Sequence, residues 1–159
     1  MARQIWVIML PPITKLNNTP LIQAAQTLEP SGVLARSTNN LIYLDIDDAY
    51  IHQLYPFLSE EAVKKPNYFG QNLIGAHISV IYPEEIFILD EQDLGKKYHF
   101  KIKELVIAEI NFKKYYALLV NCPMLLTLRN KYGLPNQLNF KGYWIDLHIT
   151  IGVSERWIK

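Results

Sequence analysis

One short pattern occurs twice in this chain, first as Gly75-Ala76-His77-Ile78-Ser79-Val80-Ile81 and again as Asp146-Leu147-His148-Ile149-Thr150-Ile151-Gly152. In each copy a histidine is followed by one apolar residue and then by a residue that carries a hydroxyl group. The surrounding residues are mostly apolar and β-branched, which is typical of a buried strand. Because side chains alternate along a strand, each histidine is predicted to share a face with the hydroxyl two positions later.

The segments around the two copies follow the same order of predicted elements. A strand, a helix, a loop and a histidine-bearing strand are predicted over residues 41–82, and the same order recurs over residues 115–153. The residues themselves hardly match, so the repeat is one of architecture only. A duplicated unit of this kind would place the two motif strands side by side across a cleft.

Alternation, helix caps and turn residues predict the individual elements. Thr19 is a predicted N-cap with proline at the next position, for a helix that ends by residue 28 before the Pro30-Ser31-Gly32 turn. Asp47 or Asp48 is expected to cap a helix that reaches residue 58, and residues 59–63 are expected to add a helical turn. A third helix is predicted over residues 123–132, with Gly133 as its C-terminal cap. The predicted strands cover residues 5–10, 41–46, 76–82, 98–110, 115–120 and 143–153.

Paired histidines suit the cleavage of a phosphodiester bond. One imidazole can act as the base that activates the attacking water or hydroxyl, and the other can act as the acid that protonates the departing oxygen. Histidine can fill either role because its ordinary pKa of about 6.5 lies near the working pH. The hydroxyl groups of Ser79 and Thr150 are placed to donate hydrogen bonds to phosphoryl oxygens. The sequence does not indicate which of His77 and His148 is the acid.

With its two H-x-[ST] motifs, the chain resembles the 2H phosphoesterase superfamily over roughly residues 41–153. That group includes cyclic nucleotide phosphodiesterases and bacterial relatives of the RNA 2′,5′-ligase. The resemblance implies an α+β fold: a bilobal domain with pseudo-two-fold symmetry, in which two antiparallel sheets flanked by helices surround a central cleft. It also implies catalytic roles for His77 and His148, and activity on 2′,3′-cyclic phosphates or 2′,5′ linkages at RNA ends.

The whole chain, residues 1–159, is expected to form one such domain. Its lobes are expected at roughly residues 37–85 and 97–155, with residues 1–36 packed against them. Residues 1–36 are not obviously part of the family pattern. The apolar run at residues 5–10 stops at a double proline and is shorter than the core of a signal peptide, so a buried strand is predicted there.

Three further residues are candidates for the site. Tyr82 follows the first motif strand, and Trp144 shares strand parity with His148, so either aromatic side chain could stack on a base. Asp146 has the same parity and could orient the imidazole of His148 or act as a third metal ligand. A metal is not expected, because two histidines alone make a poor zinc site. No cofactor is expected either, since the chain lacks a glycine-rich phosphate loop and a C-x-x-C pair.

Composition limits the partners. The chain has 16 basic and 15 acidic side chains, a net charge of +1, and therefore no electrostatic footprint for long duplex nucleic acid. A small nucleotide or an RNA end needs only local contacts and remains compatible with this balance. No apolar run approaches the length of a membrane span, and the single cysteine, Cys122, gives no sign of an oxidising compartment. A cytoplasmic monomer is the expectation.

Two other interpretations are compatible with the same residues. The chain could be a non-enzymatic module that binds a nucleotide or an RNA end on the same fold. It could instead be a protein-interaction domain in which both histidines are core residues with locally bonded hydroxyl neighbours. The position of the two rings separates the last interpretation from the others, since core histidines would lie apart with no shared surface.

Overall fold

A computed structural model describes residues 12–58, 62–85 and 88–155 of the chain. Within these ranges the helices are Thr19–Ala25 (α1), Ala49–His52 (α2) and Pro123–Lys131 (α3). The strands are Ile13–Lys15 (β1), Ser31–Arg36 (β2), Ile42–Ile46 (β3), His77–Ile81 (β4), Lys97–His99 (β5), Lys101–Ile110 (β6), Lys113–Asn121 (β7), Leu138–Phe140 (β8), Tyr143–Ile145 (β9) and His148–Glu155 (β10). No helix in these ranges has the length and apolar character that a membrane crossing requires.

Eight of these strands form one antiparallel sheet in the order β1-β6-β7-β10-β4-β3-β2-β5, and β8 and β9 form a separate two-stranded sheet. The mixture of helices with antiparallel strands agrees with the α+β prediction. The two expected sheets differ from the observed ones, because the two motif strands are neighbours and join both halves of the chain into a single sheet. That central junction is narrow, with the single register pair Ile78–Ile149 between β4 and β10.

One face of the sheet at this junction is fully buried. Ile78 and Ile149 are both 0% exposed, and they belong to a core that includes Leu21 of α1 and Tyr50 and Ile51 of α2. Burying a side chain of this size stabilises the fold by roughly 1.5–3 kcal/mol. The apolar residue inside each H-x-[ST] motif therefore anchors the strand, while its neighbours point to the other face.

Two predicted helices are present with different ends. The N-cap of α1 is Asn18, whose side chain accepts a hydrogen bond from the backbone N–H of Leu21, and Thr19 is already helical. The second predicted helix is much shorter than residue 58 would imply. It stops at His52, and a separate 3₁₀ turn, Tyr55–Phe57, follows. Pro56 lacks the N–H that a continuing helix needs at this point.

The helical turn predicted over residues 59–63 is wrong in its described part. Ala62 has a φ of +66°, which belongs to the left-handed region and cannot continue a right-handed helix. Residues 59–61 of that prediction lie outside the described residues, as does the strand predicted over residues 5–10.

Two predicted long strands are divided in the structure. The 98–110 strand becomes β5 and β6, which meet at Phe100, whose N–H bonds to the carbonyl of Pro30. The 143–153 strand becomes β9 and β10, which belong to different sheets. Conversely, Pro30-Ser31-Gly32 was predicted only to end a helix, but Ser31 and Gly32 begin β2, which pairs with both β3 and β5.

The third helix matches its prediction closely and ends at Lys131. Gly133 has a φ of +76°, and its N–H bonds to the carbonyl of Asn130, while the N–H of Leu134 bonds to the carbonyl of Arg129. These two bonds form a Schellman motif, the end that Gly133 predicts.

Arg129 on α3 fastens the helix to the end of β4. Its guanidinium is 0% exposed and donates to the carbonyl oxygens of Val80, Pro135 and Gln137. It also donates to both carboxylate oxygens of Glu85, at 3.1 and 2.9 Å. A two-point contact of this kind is among the stronger hydrogen-bonded ion pairs.

Replacing Arg129 with methionine should lower the free energy of unfolding by about 3 kcal/mol, because Glu85 and three carbonyl groups lose their donor. Urea denaturation would measure this change. The matched control is Arg36→Met, since Arg36 forms an exposed pair with Glu91 at 2.7 Å and its loss should cost less than about 1 kcal/mol. Equal effects of the two substitutions would contradict the anchoring role of Arg129.

Candidate active site

The two motif strands lie next to each other in the middle of the sheet. Ile78 of β4 is the register partner of Ile149 of β10, and the strands are antiparallel. Stepping one residue along each strand in opposite directions sets His77 opposite Thr150 and Ser79 opposite His148. All four candidate residues therefore share one face of the sheet, opposite the buried isoleucines. Diagonal neighbours in such a pair are roughly 7–8 Å apart at Cα, so the two imidazoles lie within reach of one small ligand.

Both imidazole rings are held by the same kind of hydrogen bond. Nδ1 of His77 lies 2.8 Å from the carbonyl oxygen of Gly75, and Nδ1 of His148 lies 2.8 Å from the carbonyl oxygen of Asp146. A carbonyl oxygen only accepts, so Nδ1 carries the proton and donates in each case. In the neutral ring the lone pair is then on Nε2. Each histidine thus presents a basic Nε2.

A tightly fixed turn positions the carbonyl that holds His77. Gly75 has a φ of +70°, and a Cβ atom there would lie 2.5 Å from Oδ1 of Asp48. The same Asp48 oxygen accepts a hydrogen bond from the N–H of Ala76, and the N–H of Gly75 bonds to the carbonyl of Tyr68. Glycine is required at this position by both its backbone angle and its surroundings.

Asp146 holds His148 in a different way from that predicted. Its carboxylate accepts hydrogen bonds from Lys103 at 2.8 Å and from Gln137 at 3.0 Å, while only its backbone carbonyl meets the imidazole. Burial raises the pKa of Asp146, but the two hydrogen bonds, together with the charges of Lys103 and His148, hold the pKa below its ordinary value. The residue orients His148 through the main chain rather than through the side chain.

Aromatic rings flank both histidines. The ring of Tyr68 lies 4.7 Å from the His77 ring and that of Tyr43 lies 5.9 Å away, both edge-on. On the other side, the ring of Phe140 is 5.9 Å from the His148 ring. Burial raises the pKa of Tyr68, and a side-chain interaction with Thr150 opposes this shift. Tyr68, Tyr43 and Phe140 were not predicted, because they come from a loop and from other strands.

Burial sets the charge of both imidazoles. It lowers the pKa of His77, and the bond to the Gly75 carbonyl opposes this shift only in part. Burial also lowers the pKa of His148, which is only 7% exposed, and the nearby His77 lowers it further. Because the free protein disfavours a charge on either ring, both histidines are neutral at pH 7.

The two aromatic candidates have different surroundings. Burial, followed by the charges of Glu85 and Glu84, raises the pKa of Tyr82 to about 12, so its phenol stays protonated. Trp144 is 54% exposed on β9 and pairs with Asn139 in the small sheet. The parity that linked Trp144 to His148 does not apply, because the strand is interrupted between them. Base stacking by either side chain stays a prediction.

The other histidines lie elsewhere. His52 has its Nδ1 3.1 Å from Nζ of Lys65, and His99 is exposed on β5 at the far edge of the sheet. Cys122 is buried, its thiol donates to the carbonyl of His99, and burial raises its pKa. In the described ranges, no three His, Cys, Asp or Glu side chains are grouped to hold a metal ion.

The family model of the Swiss Army Knife 2H phosphoesterase domain matches residues 42–158. This match spans both histidine strands and well over half of the sequence. The chain belongs to the 2H phosphoesterases. Searches of curated proteins and of solved structures find no match.

Membership of the 2H phosphoesterases supports a hydrolase that acts on phosphoesters. The match begins at residue 42, the first residue of β3, and this agrees with the absence of the family pattern from residues 1–36. Those residues nevertheless contribute to the sheet of the 2H phosphoesterase, since β1 pairs with β6 and β2 lies between β3 and β5.

The lowered pKa values of His77 and His148 predict how stability depends on pH. Below about pH 6.5 the unfolded chain takes up protons that the folded protein does not. Above that pH the free energy of unfolding therefore has its full value with respect to these two groups. It should fall as the pH is lowered towards the folded-state pKa values. The doubly substituted variant His77→Gln, His148→Gln should show a shallower fall when urea denaturation is repeated between about pH 5 and 7. Identical slopes for the two proteins would contradict the inferred neutral, buried rings.

Proposed function

We propose that this 2H phosphoesterase hydrolyses the phosphodiester of a 2′,3′-cyclic nucleotide, or a cyclic-phosphate or 2′,5′-linked RNA end, by paired-histidine acid–base catalysis without a metal. The observation that carries the proposal is the matched anchoring of the two rings at Nδ1, 2.8 Å from a carbonyl oxygen in each case. This leaves two Nε2 atoms for one substrate. The central strands would then line a cleft between two halves related by pseudo-two-fold symmetry.

The reaction needs one neutral and one protonated ring. Nε2 of the neutral histidine takes a proton from water as the water oxygen forms a bond to phosphorus. The bond from phosphorus to one ribose oxygen breaks, and Nε2 of the protonated histidine delivers its proton to that oxygen. The product is a phosphomonoester with one free hydroxyl, and the two histidines have exchanged protonation states.

Ser79 and Thr150 are the proposed donors to the non-bridging phosphoryl oxygens. Register sets each hydroxyl opposite the histidine of the other strand, so each phosphoryl oxygen would face one alcohol and one imidazole. Donors fixed before the reaction stabilise the charge that develops on these oxygens. The side-chain interaction between Thr150 and Tyr68 would keep Tyr68 beside one of the two alcohols.

The substrate itself supports protonation of the acid. In the free protein both rings are neutral at pH 7, because burial lowers both pKa values. A bound phosphodiester carries a negative charge next to both imidazoles, and such a charge raises the pKa of a neighbouring base. Binding would therefore recruit the proton that the leaving group later receives.

Alanine in place of His77 or of His148 should lower kcat/KM by at least about 10²-fold, because each ring performs one of the two proton transfers. The assay uses 2′,3′-cyclic AMP, with 2′,5′- and 3′,5′-linked dinucleotides as alternatives, in excess chelator. His99→Ala is the matched control, since that ring is exposed at the sheet edge, and its activity should equal that of the wild type. Tight binding of all substrates with no product would favour a non-enzymatic nucleotide or RNA-end module.

The pH profile should be bell-shaped, and its alkaline limb should lie at higher pH for kcat than for kcat/KM. The reason is that kcat/KM reports the free protein, in which burial lowers both histidine pKa values, while kcat reports the complex, in which the phosphate charge raises them. Steady-state rates across the pH range would measure both limbs. Coinciding alkaline limbs would contradict this account of the acid.

A further inference from the structure

A groove lies beside the histidine pair and follows the end of β10. It has a volume of about 600 Å³, within the usual range for ligand sites. Three lysines and two tyrosines stand out in its lining: Lys64, Lys65, Lys113, Tyr68 and Tyr115. We call this feature the lysine groove.

The lysine groove is continuous with the candidate active site through its two tyrosines. Tyr68 has one side against His77, at 4.7 Å between the rings, and it also lines the groove. Tyr115 lies 5.1 Å from Phe140, which in turn flanks His148. A ligand can therefore pass from the histidines into the groove along an aromatic wall.

The charges of the lysine groove favour an anion. Glu155, the acidic side chain in its lining, lies 3.3 Å from Lys113 and offsets that lysine. Lys64 and Lys65 are exposed, and neither forms an ion pair with a carboxylate in the part of the chain that the structure describes. The ammonium group of Lys65 lies instead 3.1 Å from Nδ1 of His52. Among the described residues, no carboxylate therefore offsets the positive charges of Lys64 and Lys65.

The position of the groove along β10 indicates what that ligand is. Val153, which lines the groove, comes three residues after Thr150 on the same strand. Because of the β-bulge between Thr150 and Gly152, Thr150 and Val153 pair with residues only two apart on β7, Ala117 and Tyr115. At about 3.3 Å per residue, the groove therefore begins roughly 7 Å from the proposed phosphate position. An anion at this distance from the first phosphate, next to aromatic rings, is what the following part of a nucleic acid strand would provide.

We propose that the lysine groove binds the backbone of a single-stranded oligonucleotide whose terminal phosphodiester lies between His77 and His148. Lys64 and Lys65 contact a second phosphate, and Tyr68 offers a surface on which a base can stack. The ring of Tyr115 forms the wall between them and carries Lys141, 4.9 Å from its centroid. The inference rests on the proposed function and makes it narrower: the preferred substrate is an RNA end with further nucleotides attached, rather than a free cyclic mononucleotide.

The binding test uses the full chain carrying His148→Ala, so that the ligand is not consumed. A labelled tetranucleotide with a terminal 2′,3′-cyclic phosphate is titrated at several salt concentrations, with and without the added pair Lys64→Ala, Lys65→Ala. Each neutralised phosphate contributes about 0.7 to the slope of log K against log salt for single strands, so losing the contact with the second phosphate should decrease the slope by about 0.7. The control Lys97→Ala removes an exposed lysine from β5, at the far edge of the sheet, and should leave the slope unchanged. An unchanged slope in the Lys64, Lys65 variant would overturn the proposal.

The kinetic test uses the catalytically intact chain and compares two substrates. The double lysine variant should lower the ratio of kcat/KM for the tetranucleotide to kcat/KM for 2′,3′-cyclic AMP by about tenfold, as expected for the loss of two exposed charge contacts. An equal loss for both substrates would overturn the proposal, since the groove would then hold the nucleoside of the cyclic phosphate itself. A wild-type protein that cleaves neither substrate would overturn the proposed function instead, and the salt slope would still decide whether the groove binds a strand.

Discussion

The pairing of Ile78 with Ile149 is the contact on which the candidate site depends. Both side chains are fully buried, and their register alone sets the two histidines and two hydroxyl groups on one face. A slip of one residue in either strand would turn the polar residues of that strand into the core. The hydrophobic core beneath the sheet therefore fixes the geometry of the polar surface above it.

Local patterns in the sequence were sufficient to predict the two motif strands, the third helix with its glycine cap and the family. They could not predict the sheet as a whole. At the interruption before His148, Asp146 bonds to Lys103 and Gln137, which are distant in the chain or lie in a loop without periodicity. Ser31 and Gly32 have turn-forming character and become part of a strand only because β3 and β5 pair on either side. Tertiary pairing outweighed local propensity at these positions.

In the candidate site, too, local patterns predicted some features while contacts between distant segments decided the others. Alternation along a strand predicted which side chains share a face, but no sequence pattern indicates that a main-chain carbonyl would hold each imidazole at Nδ1. Tyr68 illustrates the limit, because this one residue interacts with Thr150, contacts the ring of His77 and accepts the hydrogen bond from the N–H of Gly75. Its importance follows from three contacts to separate segments, and none of them leaves a periodic signal.

The most direct test of the account is the titration of both imidazoles by nitrogen NMR, without and with a bound nucleoside 3′-monophosphate. We expect Nδ1 to carry the proton in each neutral ring, and we expect the pKa of both His77 and His148 to rise when the phosphate binds. A rise for both rings would mean that a single phosphate lies beside both imidazoles. A response from only one ring, or from neither, would contradict the central claim that the two histidines act on the same phosphate.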